Sequence, residues 1–253
     1  MIRFYYLIVV SMPLIIYYIM KASYYIKHPH KYDVEKRFQL AQKFIQIVKK
    51  NGRINTEVYG IEHLPENGGY VMYSNHQGRY DALGIIGAHK KPCSVVMDYK
   101  RSTKPISTQF IGLLGGKRLK KEDPRQQVRI VQEMIAELKK GRIFLLFPEG
   151  GYTDNHNTLQ IFHAGSFKCA QKAGCPIVPV AIWDSYRPFE EKSLRPVTTQ
   201  VHFLEAIPPT AFADKTTAQI SDMVRSKIEE RLNEIAEKEG CFYSTKDKME
   251  FAK

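Results

Sequence analysis

The stretch Tyr70-Val71-Met72-Tyr73-Ser74-Asn75-His76-Gln77-Gly78-Arg79-Tyr80-Asp81 changes character in its middle. Its first four residues predict a strand, the eight after them are mostly polar, and Ala82 to Ala88 predicts the start of a helix. A strand that delivers polar residues at its carboxyl end and passes into a helix is the repeating unit of open α/β sheets. Those ends are where such sheets bind ligands. His76 and Asp81 stand in this segment, and on one ideal helix they would lie about 140° apart. They meet only across a turn, for which Gly78 supplies conformational freedom. A carboxylate on one imidazole nitrogen fixes the tautomer and leaves the other nitrogen to take a proton, a general base that needs no serine. The same two residues also suit a hydrogen-bonded surface pair.

Similar strand-like runs recur at 57–59, 94–97, 143–147, 177–182 and 201–204, with helical patterns between most of them. One helix opens at Asp123, an N-cap followed by Pro124 and Gln126; its Val128, Val131, Ile135 and Leu138 share a face, and Gly141 suits the residue past its end. A last helix opens near Thr216, with Gln219 three positions on, and carries Ile220, Val224, Ile228, Leu232 and Ile235 towards Gly240. The segment Asp33 to Lys50 predicts an amphipathic helix, and the tail after Gly240 is expected to fray. The fold class predicted is α/β, a mixed, mostly parallel sheet flanked by helices, with an N-terminal membrane helix.

Two more turns sit at strand ends. Phe144-Leu145-Leu146-Phe147 runs into Pro148-Glu149-Gly150-Gly151, a turn set by proline and two glycines. Ile177-Val178-Pro179-Val180 holds a proline that belongs at an edge or a bulge. Taken with the first stretch, these resemble the four blocks of the glycerophospholipid acyltransferase superfamily, whose type members are the 1-acyl-sn-glycerol-3-phosphate (lysophosphatidic acid) acyltransferases. The family's first block is matched by Asn75, His76 and Asp81. The second is matched loosely by Gly115-Gly116-Lys117-Arg118-Leu119-Lys120-Lys121-Glu122-Asp123. The third is Phe147-Pro148-Glu149-Gly150, and the fourth is Val178-Pro179-Val180. Gly60 to Pro65 is similar to the family's lead-in.

What the resemblance implies is an acyl transfer without an acyl-enzyme. His76 would act as base and Asp81 as its orienting acid, and a fatty acyl chain would move from acyl-CoA or acyl carrier protein to the free hydroxyl of a lysophospholipid, 1-acyl-glycerol-3-phosphate being the expected acceptor. Asn75, Gly78, Arg118, Lys121, Phe147, Pro148, Glu149 and Gly150 would form the substrate site, with the basic residues Lys117 to Arg125 meeting phosphate and backbone amides near the third block meeting the oxyanion. Glu149 would hold the acceptor by hydrogen bonding or by fixing a basic residue. No metal or cofactor is called for beyond the thioester donor. Two positions depart from the family pattern: Lys121 stands where an arginine is usual, and Gly151-Tyr152 stands where the third block often continues Thr-Arg. Both positions are associated in the family with the acceptor's phosphate.

The formal net charge of +12 attracts polyanions, and the N-terminus selects a membrane among them. From Phe4 to Met20 the chain carries no charge for about 17 residues, at the short end of a bilayer span. Tyrosines flank the run, Pro13 is placed to kink it, and Lys21, Lys27 and Lys31 follow it, with Arg3 on the other side. Residues 1–31 are therefore expected to anchor the protein in the cell membrane and 32–253 to form a cytoplasmic acyltransferase domain. A cleaved signal peptide and a helix lying in the interface are the alternatives for the anchor. Cys93, Cys169, Cys175 and Cys241 show no metal-ligand spacing and are expected as free thiols. A lipid hydrolase is disfavoured because Ala164-Gly165-Ser166-Phe167 lacks the second glycine of a nucleophile elbow. A non-catalytic basic scaffold at the membrane would leave His76 unused, and no nucleic-acid-binding signature is visible.

Overall fold

A computed structural model describes residues 2–240. Seven strands, β1 (Ile54–Tyr59), β2 (Val71–Ser74), β3 (Cys93–Asp98), β4 (Lys117–Leu119), β5 (Ile143–Leu146), β6 (Ile177–Trp183) and β7 (Val197–Phe203), form one sheet in the order β1-β7-β6-β2-β5-β3-β4. Every pairing is parallel except β6 with β7, which gives the mixed, mostly parallel sheet that the sequence predicts. The helices are α1 (Ile2–Val10), α2 (Met12–Lys27), α3 (Val34–Gly52), α4 (Asp81–Ala88), α5 (Tyr99–Ser102), α6 (Ser107–Leu114), α7 (Pro124–Leu138), α8 (Lys168–Ala173), α9 (Arg187–Glu190) and α10 (Thr217–Lys238).

The central strands are buried on both faces, and their side chains divide by the period of two. Val71, Tyr73, Phe144, Leu146, Ile177 and Ala181 point to one side, where α7, α8 and α10 close a core through Met134, Ala170 and Val224. Tyr70, Met72, Ile143, Leu145, Val178 and Val180 point to the other, against α3, α4 and α6. The caps read from sequence form at both long helices: Asp123 accepts from the Gln126 amide, and Thr216 and Gln219 complete a capping box. Strand β4 lies outside the predicted set, because its three residues are two cations and a leucine, a composition suited to a sheet edge rather than to a hydrophobic run.

Pro179 sits inside β6, and its position resolves as a bulge. The Leu204 amide donates to the Pro179 carbonyl, so the missing proline donor also faces β7. There the antiparallel register slips by one residue between the Ile177–Ile207 bridge and the Val180–Phe203 pair.

The single N-terminal membrane helix is corrected. The apolar run breaks at Ser11 into α1 and α2, bent by 75°, and no single described helix is long and apolar enough to cross a membrane. Pro13 lies in the first turn of α2, where its missing amide costs nothing, so it starts a new helix instead of kinking one. Arg3, expected beyond the far side of a bilayer, is instead buried. Its guanidinium donates to the carbonyls of Arg187, Pro188 and Arg195, docking α1 on α9. Cys93, Cys169 and Cys175 are free and buried; Cys241 and the tail expected to fray lie outside the described residues.

Candidate active site

Strands β2 and β5 are neighbours, with Tyr73 opposite Leu146, so Asn75-His76 and Phe147-Pro148-Glu149 leave the sheet side by side. Asn75 is fully buried and fixes the exit of β2. Its Nδ2 donates to the Ile182 carbonyl at 3.0 Å and its Oδ1 accepts the Ile182 amide at 2.9 Å, satisfying the end of β6. The chain then turns, and α4 begins at Asp81.

His76 Nδ1 lies 2.5 Å from Asp81 Oδ2. The same oxygen accepts the amides of Gln77 at 2.6 Å and Gly78 at 2.9 Å, and Asp81 is fully buried. An oxygen already taking two N–H donors takes Nδ1 as a third, so the carboxylate engages Nδ1 and not Nε2. The turn is built as expected, but Gly78 serves it differently. Its φ is not positive, and a Cβ there would come within 3.2 Å of the Tyr186 Cα, so the residue is needed for close packing rather than for conformational freedom.

The imidazole is clasped by aromatic rings. Phe147 stacks on it at 4.3 Å between centroids, and Tyr152 meets it edge-on at 4.7 Å. Pro148 accepts the His163 amide through its carbonyl, and Gly150 turns the chain with φ 69° where a Cβ would press on the His163 ring. Glu149 is buried, and its Oε2 accepts from Gln160 Nε2 at 2.6 Å. Burial pushes its carboxyl up to about 8, against the pull of the Gln160 amide and the main chain of His76 and Gln160. The group therefore carries its proton at neutral pH. Among the described residues no ion pair involves Glu149, and its partner is the Gln160 side-chain amide. The Gly150 amide is engaged with the Phe147 carbonyl and is not available to an oxyanion.

The basic block disperses instead of acting as one cluster. Lys117 is held by Glu133 and Glu137 on α7, at 3.0 and 2.6 Å. Arg118 turns to α6, where Nη2 donates to the Thr108 carbonyl at 3.2 Å. Lys120 lies over the Tyr99 ring. Lys121 alone of these is seen to reach the third block: its Nζ is 3.9 Å from where a Cβ on Gly151 would sit.

Sequence reasoning missed an amide network that supports the dyad. Gln77 bonds the Ile182 carbonyl, the Ser185 amide and Asn157, and Asn155 holds the His76 carbonyl at 3.0 Å. It also missed Arg101, whose guanidinium lies 4.6 Å from the centre of the Tyr152 ring. No local pattern marks these residues, since their partners are distant in sequence. The serine of the disfavoured hydrolase reading, Ser166, donates to the His163 carbonyl inside a 3₁₀ turn.

Residues 55–183 match the protein-family model described as Acyltransferase, a span that contains both the dyad and the Glu149 turn. The chain belongs to the acyltransferase family. Among curated relatives, the chloroplastic 1-acyl-sn-glycerol-3-phosphate acyltransferase BAT2 of Brassica napus is 31% identical over 134 residues, 50% of this chain and 37% of that one. The 1-acyl-sn-glycerol-3-phosphate acyltransferase alpha of Homo sapiens is 28% identical over 180 residues, 69% of this chain and 62% of that one. The acyltransferase chain thus spans from about a third to under two thirds of the length of these relatives. The crystal structure of the 1-acyl-sn-glycerophosphate (LPA) acyltransferase PlsC from Thermotoga maritima has the same fold, with a TM-score of 0.68 at 21% identity, covering 94% of this chain and 99% of that chain.

Proposed function

We propose that this acyltransferase moves a fatty acyl chain from a thioester carrier, acyl-CoA or acyl carrier protein, to the free hydroxyl of a lysophospholipid, with 1-acyl-glycerol-3-phosphate as acceptor and phosphatidic acid as product. The observation that carries this reading is the His76–Asp81 pair, in which the carboxylate takes Nδ1 and not Nε2, on the strand next to the one that ends in the Glu149 turn. The acceptor hydroxyl gives its proton to His76 Nε2 while its oxygen attacks the thioester carbonyl. The tetrahedral adduct then collapses, the C–S bond breaks, and the imidazolium returns the proton to the departing sulfur. Asp81 keeps the ring oriented and steadies its transient positive charge. Glu149, neutral, holds the acceptor by a hydrogen bond.

Attachment to the membrane belongs to the bent α1–α2 pair. Val9, Val10, Met12, Leu14, Ile16, Tyr17 and Met20 are exposed along it, while Arg3 and Leu7 hold its inner side to the domain. Such a pair lies in the interface with its apolar side among the acyl chains, and the basic surface adds attraction to anionic lipid on the cytoplasmic face.

An acceptor panel with a single acyl-CoA tests the reading. Transfer to lysophosphatidic acid above lysophospholipids with other headgroups is expected; equal transfer to all of them would remove the acceptor assignment, and transfer to none would remove the reaction.

A further inference from the structure

The histidine of the dyad is held by its main chain as well as by its ring. His76 lies beyond the last residue of β2; its carbonyl accepts Asn155 Nδ2 at 3.0 Å, and its amide lies against the Glu149 carboxyl. Asn155 belongs to the loop after the third block and is buried. Its own side chain is fixed, since Nδ2 also donates to the Thr158 carbonyl at 2.8 Å and Oδ1 accepts the Thr153 amide at 3.1 Å. Thr158 Oγ1 returns a bond of 2.5 Å to the Asn155 carbonyl. Two residues on, Asn157 takes the next residue of the dyad segment, accepting Gln77 Nε2 at 2.9 Å while it exchanges two bonds with Asp184, at 2.8 and 2.9 Å. His156, between the two asparagines, stands in the left-handed region at φ 46°. Its ring stacks on Tyr186, the residue whose Cα packs over Gly78, so contacts around the loop hold a conformation that the isolated chain disfavours.

We propose that Asn155 is a positioning residue of the acyl transfer: its amide fixes the His76 carbonyl, and through it the place at which Nε2 meets the acceptor hydroxyl. The proposal rests on the acyl-transfer reading above and deepens it. Asp81 sets which imidazole nitrogen is engaged, but a ring bonded at one atom still moves with its own Cα. The carbonyl beside that Cα is where the movement is stopped. The donor that stops it belongs to a buried side chain whose other bonds leave it nowhere else to turn. Glu149 cannot take over this duty, because it meets the amide side of His76 and not the carbonyl. Catalysis by a held group falls steeply with misplacement, about a hundredfold for roughly 1 Å, so a bond that touches neither substrate nor imidazole acts on turnover. Asn157 does for the Gln77 side chain what Asn155 does for the His76 main chain, which ties the loop to both residues at the start of the turn.

Steady-state kinetics of the full chain in mixed micelles, with one acyl-CoA and lysophosphatidic acid and with Tm followed in parallel, tests it. Asn155→Ala should lower kcat about tenfold to a hundredfold and leave both KM values within about twofold of the parent. Asn155→Ser, whose hydroxyl sits where the amide carbon was and keeps a polar group beside the Thr153 amide, should lose kcat in the same way with a smaller loss of Tm. The acid limb of the kcat/KM profile of Asn155→Ala should stay where the parent has it, since the contact between Asp81 and Nδ1 is untouched. Thr158→Val, which removes the hydroxyl bond to the Asn155 carbonyl but not the Asn155 amide, should lower Tm without lowering kcat. Parent-like kcat in the Asn155 variants, a limb displaced in pH, a kcat lost equally in Thr158→Val, or loss of the fold in both Asn155 variants overturns the positioning role while leaving the reaction standing. A parent protein that acylates no lysophospholipid overturns the reaction itself, and the role with it.

Discussion

Glu149 shows how burial changes what a residue can offer. A carboxyl whose proton is held up to about 8 is a donor and acceptor of hydrogen bonds at neutral pH, not a charge. In the unfolded chain the group returns to its ordinary value near 4.5. Between those two values the unfolded state has lost a proton that the folded state keeps, so this residue makes stability fall as pH rises from about 4.5 towards 8, and level above that. Glu149→Gln, which keeps the hydrogen-bonding shape without the proton, should flatten that part of the pH–Tm curve and retain acyl transfer. A slope unchanged by the substitution would show that Glu149 ionises normally in the fold. The residue was legible in sequence as part of a turn at a strand end, but its protonation was not, because that depends on Gln160 and on burial beside β2. Asn75, His76 and Asp81 were legible for the opposite reason: one short segment contains both members of the dyad and the turn that joins them. Arg101 was hidden, because its meaning lies in a ring contact across 51 positions of sequence.

At the level of elements, capping residues and periodic apolar faces placed α7 and α10 closely, since both signals are local. Composition alone misjudged the N-terminus. An uncharged run reads as one span, whereas Pro13 opens a second helix and buried Arg3 ties the first to α9. That docking has a consequence for the dyad segment. Phe4 of α1 packs edge-on against Phe189, Phe189 contacts Tyr80, and the Arg79 guanidinium lies over the Phe4 ring, so α1 braces the two residues just before Asp81. The outer side of the pair is free of this duty. Replacing exposed Val9, Ile16 and Met20 together by serine should lower partitioning onto anionic vesicles at least tenfold, since each apolar side chain returned to water forfeits about 1.5–3 kcal/mol. Tm should hold, because none of the three belongs to the core. Undiminished vesicle binding in the triple variant would assign attachment to the basic surface alone, whose contribution is separable by its loss in high salt.

For the whole molecule, the sheet order explains why one face carries everything that the sequence distributed over its length. β2 stands between β5 and β6, so the ends of three parallel strands converge, and Asn75, Glu149 and Ile182 become neighbours although far apart in the chain. The most direct test of the account is the release of free thiol from acyl-CoA, followed with and without lysophosphatidic acid, for the parent chain and for His76→Ala. The account predicts release that depends on the acceptor and that falls by about a hundredfold or more in a folded His76→Ala variant. Release without acceptor would mean a hydrolase, and near-normal release by folded His76→Ala would contradict the assignment of the base.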